Sequence, residues 1–382
     1  MQADPSLVTL QAGHRRPQSF NASVHGARGL FATLVFCFHV ANSGLPNFWA
    51  DDAWPAAWLF QSLKFGVELF FGISGFVIIG ALARAPSIRA FLWDRATRIY
   101  PLLWLTLIAI TLVALATGRW MPPFGDWLLN FLAPPPLVAL PQVNPAAWSL
   151  GYEISFYALC AAGWAARTRG WRWMPAAVVA GAIAIIFFPR AILMPVGLVL
   201  AAGWLARSRL QRLADVSPVL WLVLFLALWR WLDRSAPDHD IAMLTPAHMP
   251  LSAWLAYLPV MLLAGMCGTL ALGGIVAERG SFAQVLRTPL FRWLGTISYS
   301  FYLWHPVVMA TVKALLIRSG LVDTLGAASQ LAFALIAFPP ALGIAHVSQR
   351  LVEVRLTRWL RRHGPREDRG AAPITALERA RP

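Results

Sequence analysis

Apolar runs of about 17 to 25 residues recur along the whole chain, each long enough to cross a bilayer as a helix. They fall near residues 24–44, 58–82, 99–117, 147–166, 173–188, 190–206, 217–232, 251–273, 293–316 and 327–350. A chain of 382 residues that is 58% hydrophobic and 13% charged, with mean hydropathy +0.59, excludes an ordinary soluble domain. The expectation is an all-α polytopic membrane protein, about ten transmembrane helices bundled around a central polar cavity. The fifth and sixth runs are separated only by Pro189 and Arg190, so a tilted hairpin and one broken unit both fit.

Ten spans leave both termini on one side, and the distribution of positive charge chooses the side. All but seven of the 32 basic residues fall in the segments assigned inside, the exceptions being Lys64, Arg119, Arg190, Arg230, Arg234, Lys313 and Arg318. Both termini are therefore expected to be cytoplasmic. The same spread argues against nucleic acid as a partner: a net charge of +15 divided among six inner segments makes no single basic patch. Residues 1–23 read as a polar N-terminal tail without a signal peptide. Residues 24–354 read as the membrane domain, and 355–382 as an arginine-rich tail suited to anionic headgroups. Cys37, Cys160 and Cys267 each lie in an apolar run and read as small core residues.

Two outer connections are long. Residues 118–146 are proline-rich around a short helix at Asp126–Leu132, enough for a lid or an acceptor lip. Residues 233–250 hold Asp233, Asp238, His239, Asp240 and His248, but at no recurring ligand spacing, so no metal is expected there.

Ionisable residues inside the spans are few, and each is a functional-site hypothesis by cost alone. Arg28 and His39 open the list: eleven residues apart, they share a helix face and stand about 16 Å apart in depth. Arg28 reads either as a snorkelling interfacial cation or as a ligand for an anion. Glu68, Glu153 and His305 fall at middle or outer depths near that of His39, which points to one shared cavity. Arg95 and Arg98, three apart and so on one helical face, lie near the level of Arg28. They form either a positive-inside anchor or, with Arg28, a rim for a phosphorylated ligand. Lys64 precedes Glu68 by one turn and reads as its neutralising partner, while His346 reads as a packing residue.

Five segments resemble the acyltransferase 3 family of integral membrane acyltransferases, typified by O-antigen and exopolysaccharide O-acetylases. Arg28 to His39 is similar to its Arg-X10-His signature, and Gly66-Val-Glu-Leu-Phe-Phe-Gly-Ile-Ser-Gly-Phe76 resembles its Gly-Val-Asp-Leu-Phe-Phe segment. Arg95-Ala-Thr-Arg98-Ile-Tyr-Pro101, Trp148-Ser-Leu-Gly-Tyr-Glu153 and Leu294-Gly-Thr-Ile-Ser-Tyr-Ser-Phe-Tyr-Leu-Trp-His305 match three further motifs in order. Glu68 stands where the family usually has Asp. Glu353, in Val352-Glu353-Val-Arg, departs from the family's Glu-X-Pro and is left out of the expected site.

The resemblance implies transfer of an acyl group, most often acetyl, from cytoplasmic acetyl-CoA or another acyl-CoA to a hydroxyl of an extracytoplasmic or lipid-linked glycan. It also implies a multi-pass protein of the bacterial inner membrane. Arg28, Arg95 and Arg98 are expected to hold the donor phosphates, and His39 to act as general base with Glu68 or Glu153 fixing its tautomer. Trp148, Ser149, Tyr299 and His305 are expected to contact the acceptor or an oxyanion. Direct transfer and a covalent acyl-enzyme both fit. A transporter or flippase would use the same buried groups as a pathway but would carry repeat symmetry, and none is visible.

Overall fold

The computed structural model describes residues 20–48, 55–118, 120–168, 183 and 185–364, and among these every regular element is helical. Six helices are long and apolar enough to cross a membrane, or seven if one bent pair counts as a single span. The first three of these are α1 (Ala22–Ala41), α2 (Pro55–Ser62) running through a 3₁₀ turn into α3 (Gly66–Arg84), and α4 (Ile88–Thr117), and the other three lie at Leu251–Val276, Pro289–Arg318 and Leu321–Arg362. After α5 (Phe124–Asn130), α6 (Trp148–Thr168), α7 (Leu193–Ala201) and α8 (Leu210–Val216) comes α9 (Pro218–Ser235), bent 93° from α8. Then follow α10 (Leu251–Val276), α11 (Gly280–Leu286), α12 (Pro289–Arg318), α13 (Leu321–Leu325), α14 (Ser329–Ser348) and α15 (Thr357–Arg362). The expected fifth span, 173–188, lies mostly outside the described residues.

Several boundaries differ from the hydropathy reading for identifiable reasons. The 190–206 run yields only a short apolar helix, Pro189–Ala201, because Gly203 turns left-handed at φ +72° and the Arg207 guanidinium takes the Ala202 carbonyl at 2.8 Å. Conversely, α4 begins well before residue 99, capped by Ser87 accepting from the Ala90 N–H at 3.1 Å, so Arg95 and Arg98 lie within the helix. Pro101 sits inside α4 and leaves the Thr97 carbonyl without its helical donor. The Thr357 hydroxyl supplies one at 3.1 Å, which docks α15 onto α4 and carries the packed unit beyond residue 354. The outward face of α4 stays apolar and uncovered, with Leu112 62% and Leu115 70% exposed, as a lipid-facing surface requires.

The 118–146 connection is tied to α4 at several points while many of its large apolar side chains stay exposed. The short helix forms at Phe124–Asn130, and the chain then descends beside α4, where Trp104 donates to the Phe131 carbonyl at 2.8 Å and Tyr100 to the Leu132 carbonyl at 3.1 Å. Tyr100 is about 25 Å along α4 from its outer end. Asn144, fully buried, closes the segment against the core by donating to the Leu303 carbonyl at 3.1 Å and to Thr106 Oγ1 at 3.3 Å.

At the centre of the bundle, α1 and α12 run parallel in constant register. Gly29 lies on Gly295, Phe36 on Phe301 and His39 on His305. Glycine makes the approach close enough: a Cβ on Gly295 would stand 2.1 Å from the His25 carbonyl oxygen, and one on Gly29 would stand 2.7 Å from the Gly295 nitrogen. Gly295→Ala is expected to lower stability by about 1–3 kcal/mol, the usual range for overpacking. Gly343→Ala, whose Cβ would meet nothing within 4 Å, serves as the control. Denaturation of the two variants in detergent distinguishes them.

Candidate active site

Helices α1, α3, α4, α6 and α12 enclose a cavity of about 90 Å³ lined by Arg28, Arg95 and Arg98 together with Ser74, Glu153, Tyr157, Ser298, Tyr299 and Tyr302. The three arginines expected to form a rim therefore do converge. Among the described residues neither Arg28 nor Arg98 forms an ion pair, whereas Arg95 is bonded to Asp94, which also holds Arg361 at 2.6 Å. Glu153 joins this inner site instead of the His39 level. Its Oε1 accepts from Ser74 Oγ at 2.9 Å and from the Tyr157 hydroxyl.

Glu353 is the residue that sequence reasoning missed. The eight residues Gln349–Leu356 form a π-helical segment, and the re-aimed backbone turns Glu353 inward. Its Oε1 accepts from the Ser300 N–H at 3.2 Å and from the Ser300 hydroxyl, within electrostatic range of Arg28 and Arg98. The signal available was the motif position itself, since Val352-Glu353-Val-Arg stands where the resembling family carries Glu-X-Pro.

Toward the outer side, the cavity ends at two hydroxyls. Ser149 Oγ and the Tyr302 hydroxyl are 2.9 Å apart, and the Tyr302 ring lies 5.9 Å from His305. Pro306 removes the N–H that would bond the Tyr302 carbonyl, and His305 Nδ1 turns back to donate to the Phe301 carbonyl at 3.2 Å. That bond makes Nδ1 the protonated nitrogen and leaves Nε2 an acceptor, buried and unpaired among the described residues. The His39 ring lies beside it, 5.2 Å between centroids. Tyr299 lines the inner cavity, with its hydroxyl donated to the Ile99 carbonyl at 2.8 Å.

Glu68 belongs to a separate ionic cluster. Lys64 is not its partner: Lys64 reaches Asp233 at 2.7 Å, and Arg190 takes Glu68 at 3.2 Å and Asp240 at 2.7 Å. Arg230 also pairs with Asp233 at 3.1 Å, and the Arg190 guanidinium lies 4.8 Å above the Trp148 ring. Three cations and three carboxylates thus clamp the α2–α3 break, the Pro189 turn and the 233–250 loop. Neither Glu68 nor Glu153 hydrogen-bonds His39 among the described contacts, so the single mid-depth cavity divides into an inner arginine site, a histidine pair and this clamp. Two acidic residues of the segment weighed as a metal site, Asp233 and Asp240, are engaged by these cations.

A bundle of long apolar helices around half-buried arginines, carboxylates and a histidine pair defines a multi-pass membrane protein with a polar site in its interior. The chain belongs to the acyltransferase 3 family, its residues 21–347 matching the acyltransferase domain. It is similar to acyltransferase MdmB of Streptomyces mycarofaciens, 26% identical over 319 residues that cover 75% of this chain and 78% of the relative. It is also similar to exopolysaccharide production protein ExoZ of Rhizobium meliloti (strain 1021), 27% identical over 306 residues covering 73% of this chain and 86% of the relative. No solved structure matches it. The protein is thus an integral membrane enzyme that transfers acyl groups other than aminoacyl groups.

The clamp responds to acid in a defined direction. Burial alone raises the Asp240 carboxyl, but the Arg190 guanidinium and the Ala242 N–H outweigh it and hold Asp240 below the usual carboxylate range. A depressed folded-state value contributes stability that is present above the unfolded value of about 4 and is lost as pH falls through the folded one. Asp240→Asn is therefore expected to be less stable than the parent at neutral pH and to converge with it in acid, as pH-dependent unfolding will read. Arg190→Ala strands the buried Glu68 and is expected to cost about 3–5 kcal/mol, part of it recovered by adding Glu68→Gln.

Proposed function

We propose that the protein is a membrane O-acyltransferase moving an acyl group, acetyl first among the choices, from cytoplasmic acyl-CoA to a hydroxyl of an extracytoplasmic or lipid-linked glycan. The observation carrying this reading is the cavity on which three arginines converge and which Ser149 and Tyr302 also line, with the His305 and His39 rings packed in turn beyond Tyr302. The rise of about 16 Å from the Arg28 level to the His39 level suits an extended thioester arm. The relatives add support for the acceptor class, since one is named for exopolysaccharide production. The accompanying topology is a bundle of about ten spans in the bacterial inner membrane, with a cytoplasmic tail at residues 1–23, the membrane domain at 24–354 and a second cytoplasmic tail at 355–382.

In this reading Arg28, Arg95 and Arg98 bind the donor phosphates, because guanidinium groups make paired, charge-assisted bonds to phosphate oxygens. Glu153 and Glu353 hold those cations apart and limit their repulsion. His39 removes the acceptor hydroxyl proton as its oxygen attacks the thioester carbonyl; the collapsing intermediate expels the thiolate, which takes the proton from the imidazolium. His305 Nε2, an acceptor without a partner among the described residues and on a ring 5.2 Å from that of His39, is the group placed to take the other His39 N–H during reaction, the task assigned by sequence to Glu68 or Glu153. Ser149 and Tyr302 donate toward the carbonyl oxygen as it gains charge. Trp148 and Tyr299 contact substrate at the outer and inner levels, and Glu68 supports the site through Arg190.

Purified protein incubated with labelled acetyl-CoA and a glycan acceptor is expected to release coenzyme A in an acceptor-dependent way. His39→Ala is expected to lose about 10²–10⁴ in rate while remaining folded. Full activity of that variant would remove the mechanism, and substrate movement without acyl transfer would favour a transporter.

A further inference from the structure

A second cavity, of about 460 Å³, opens at the inner end of the α1–α12 contact and is lined by Phe20, His25, Pro289, Arg292, Trp293 and Thr296. It lies one helical turn below the arginine site: His25 precedes Arg28 by three residues and Thr296 precedes Tyr299 by three, so each pair shares a face about 5 Å apart in depth. The walls combine flat aromatic surface with hydrogen-bonding edges. Phe20 is 65% exposed with its ring 5.1 Å from that of His25, and His25 Nε2 meets Thr296 Oγ1 at 3.1 Å. The Trp293 indole is fixed by donating to His346 Nδ1 at 3.3 Å. Arg292 is exposed, and among the described residues no carboxylate pairs with it.

Such a site matches a planar heteroaromatic base joined to a phosphate. Aromatic faces stack on a base of any kind, and an unpaired guanidinium takes a phosphate. We propose that this cavity binds the nucleotide end of the acyl-CoA donor, with Phe20 and Trp293 against the adenine, and His25 and Thr296 at its polar edges. Arg292 takes the ribose phosphate. This rests on the donor reading above and extends it: the arm that enters at Arg28 must leave its nucleotide on the side of Arg28 away from His39, where this cavity lies. The cavity thereby makes the donor's nucleotide, not only its thioester arm, a determinant of affinity.

Acetyl-pantetheine carries the same thioester without the nucleotide, so it separates the two sites. Steady-state kinetics on the full-length protein in vesicles should give a KM for acetyl-pantetheine far above that for acetyl-CoA. In Arg292→Ala the ratio of those two KM values is expected to fall about tenfold, the loss of one charge-assisted hydrogen bond. Arg292→Lys should restore part of it, and Phe20→Ala should lower the ratio independently. An unchanged ratio in Arg292→Ala and Phe20→Ala overturns the proposal. So does an equal shift for both donors that follows the anionic lipid content of the vesicles, which would assign Arg292 to a lipid headgroup. If the parent protein consumes neither thioester, the donor reading itself fails and takes the subsite with it.

Discussion

The parallel contact between α1 and α12 is the interaction on which the site depends. Lipid offers no hydrophobic drive for two helices to associate, so close packing of small residues has to supply the attraction. Gly29 and Gly295 let the two backbones meet, Gly26 lets α1 come equally close to Leu286 of α11, and a Cβ on any of them would overlap a neighbouring main chain. Once the two helices are held in one register, everything above follows at fixed spacing. Phe36 packs on Phe301, and His39 arrives beside His305. Arg28 and His39 on one helix, and Tyr299, Tyr302 and His305 on the other, are thus graduated along two rods whose close contact fixes their register.

Proline supplies the second device. In α12, Pro306 frees a carbonyl one turn back and accompanies the turned-in ring of His305. In α4, Pro101 frees the Thr97 carbonyl, which recruits Thr357. Backbone groups without partners are costly in lipid, and at Thr97 the gap is closed by a side chain from a distant segment, which joins α15 to α4. The π-helical segment after α14 follows the same logic, with one irregular stretch bringing Glu353 to Ser300 and the arginine site.

Charge is handled differently at the outer and inner levels. The outer clamp is internally balanced, three cations on three carboxylates, and is suited to hold loops. The inner site keeps Arg28 and Arg98 without ion pairs among the described residues, facing a cavity. Cations left without a carboxylate inside an apolar bundle are expensive, and that asymmetry is the physical ground for proposing an anion site there and a structural role for the clamp.

What the sequence determined by itself is the kind of protein and most of its chemistry-bearing residues. Long apolar runs admit helices in a bilayer and little else, and the few ionisable groups within them stand out because each is costly. Arg28, Glu153, His39 and His305 stand out as candidates for that reason, and Arg95 and Arg98 through their three-residue spacing just before the third run and the motif they resemble. Their grouping was not legible. Depth read from helical rise placed Glu68 and Glu153 beside His39, but rise carries no information about which face meets which neighbour. Lys64 was given to Glu68 by its one-turn spacing, while the structure pairs each with a residue more than 100 positions away. Glu353 escaped because an irregular π turn, invisible in periodicity, decides its direction. Tertiary structure alone decided these partners, since lateral packing and helix irregularity are set by contacts between segments that sequence spacing does not encode.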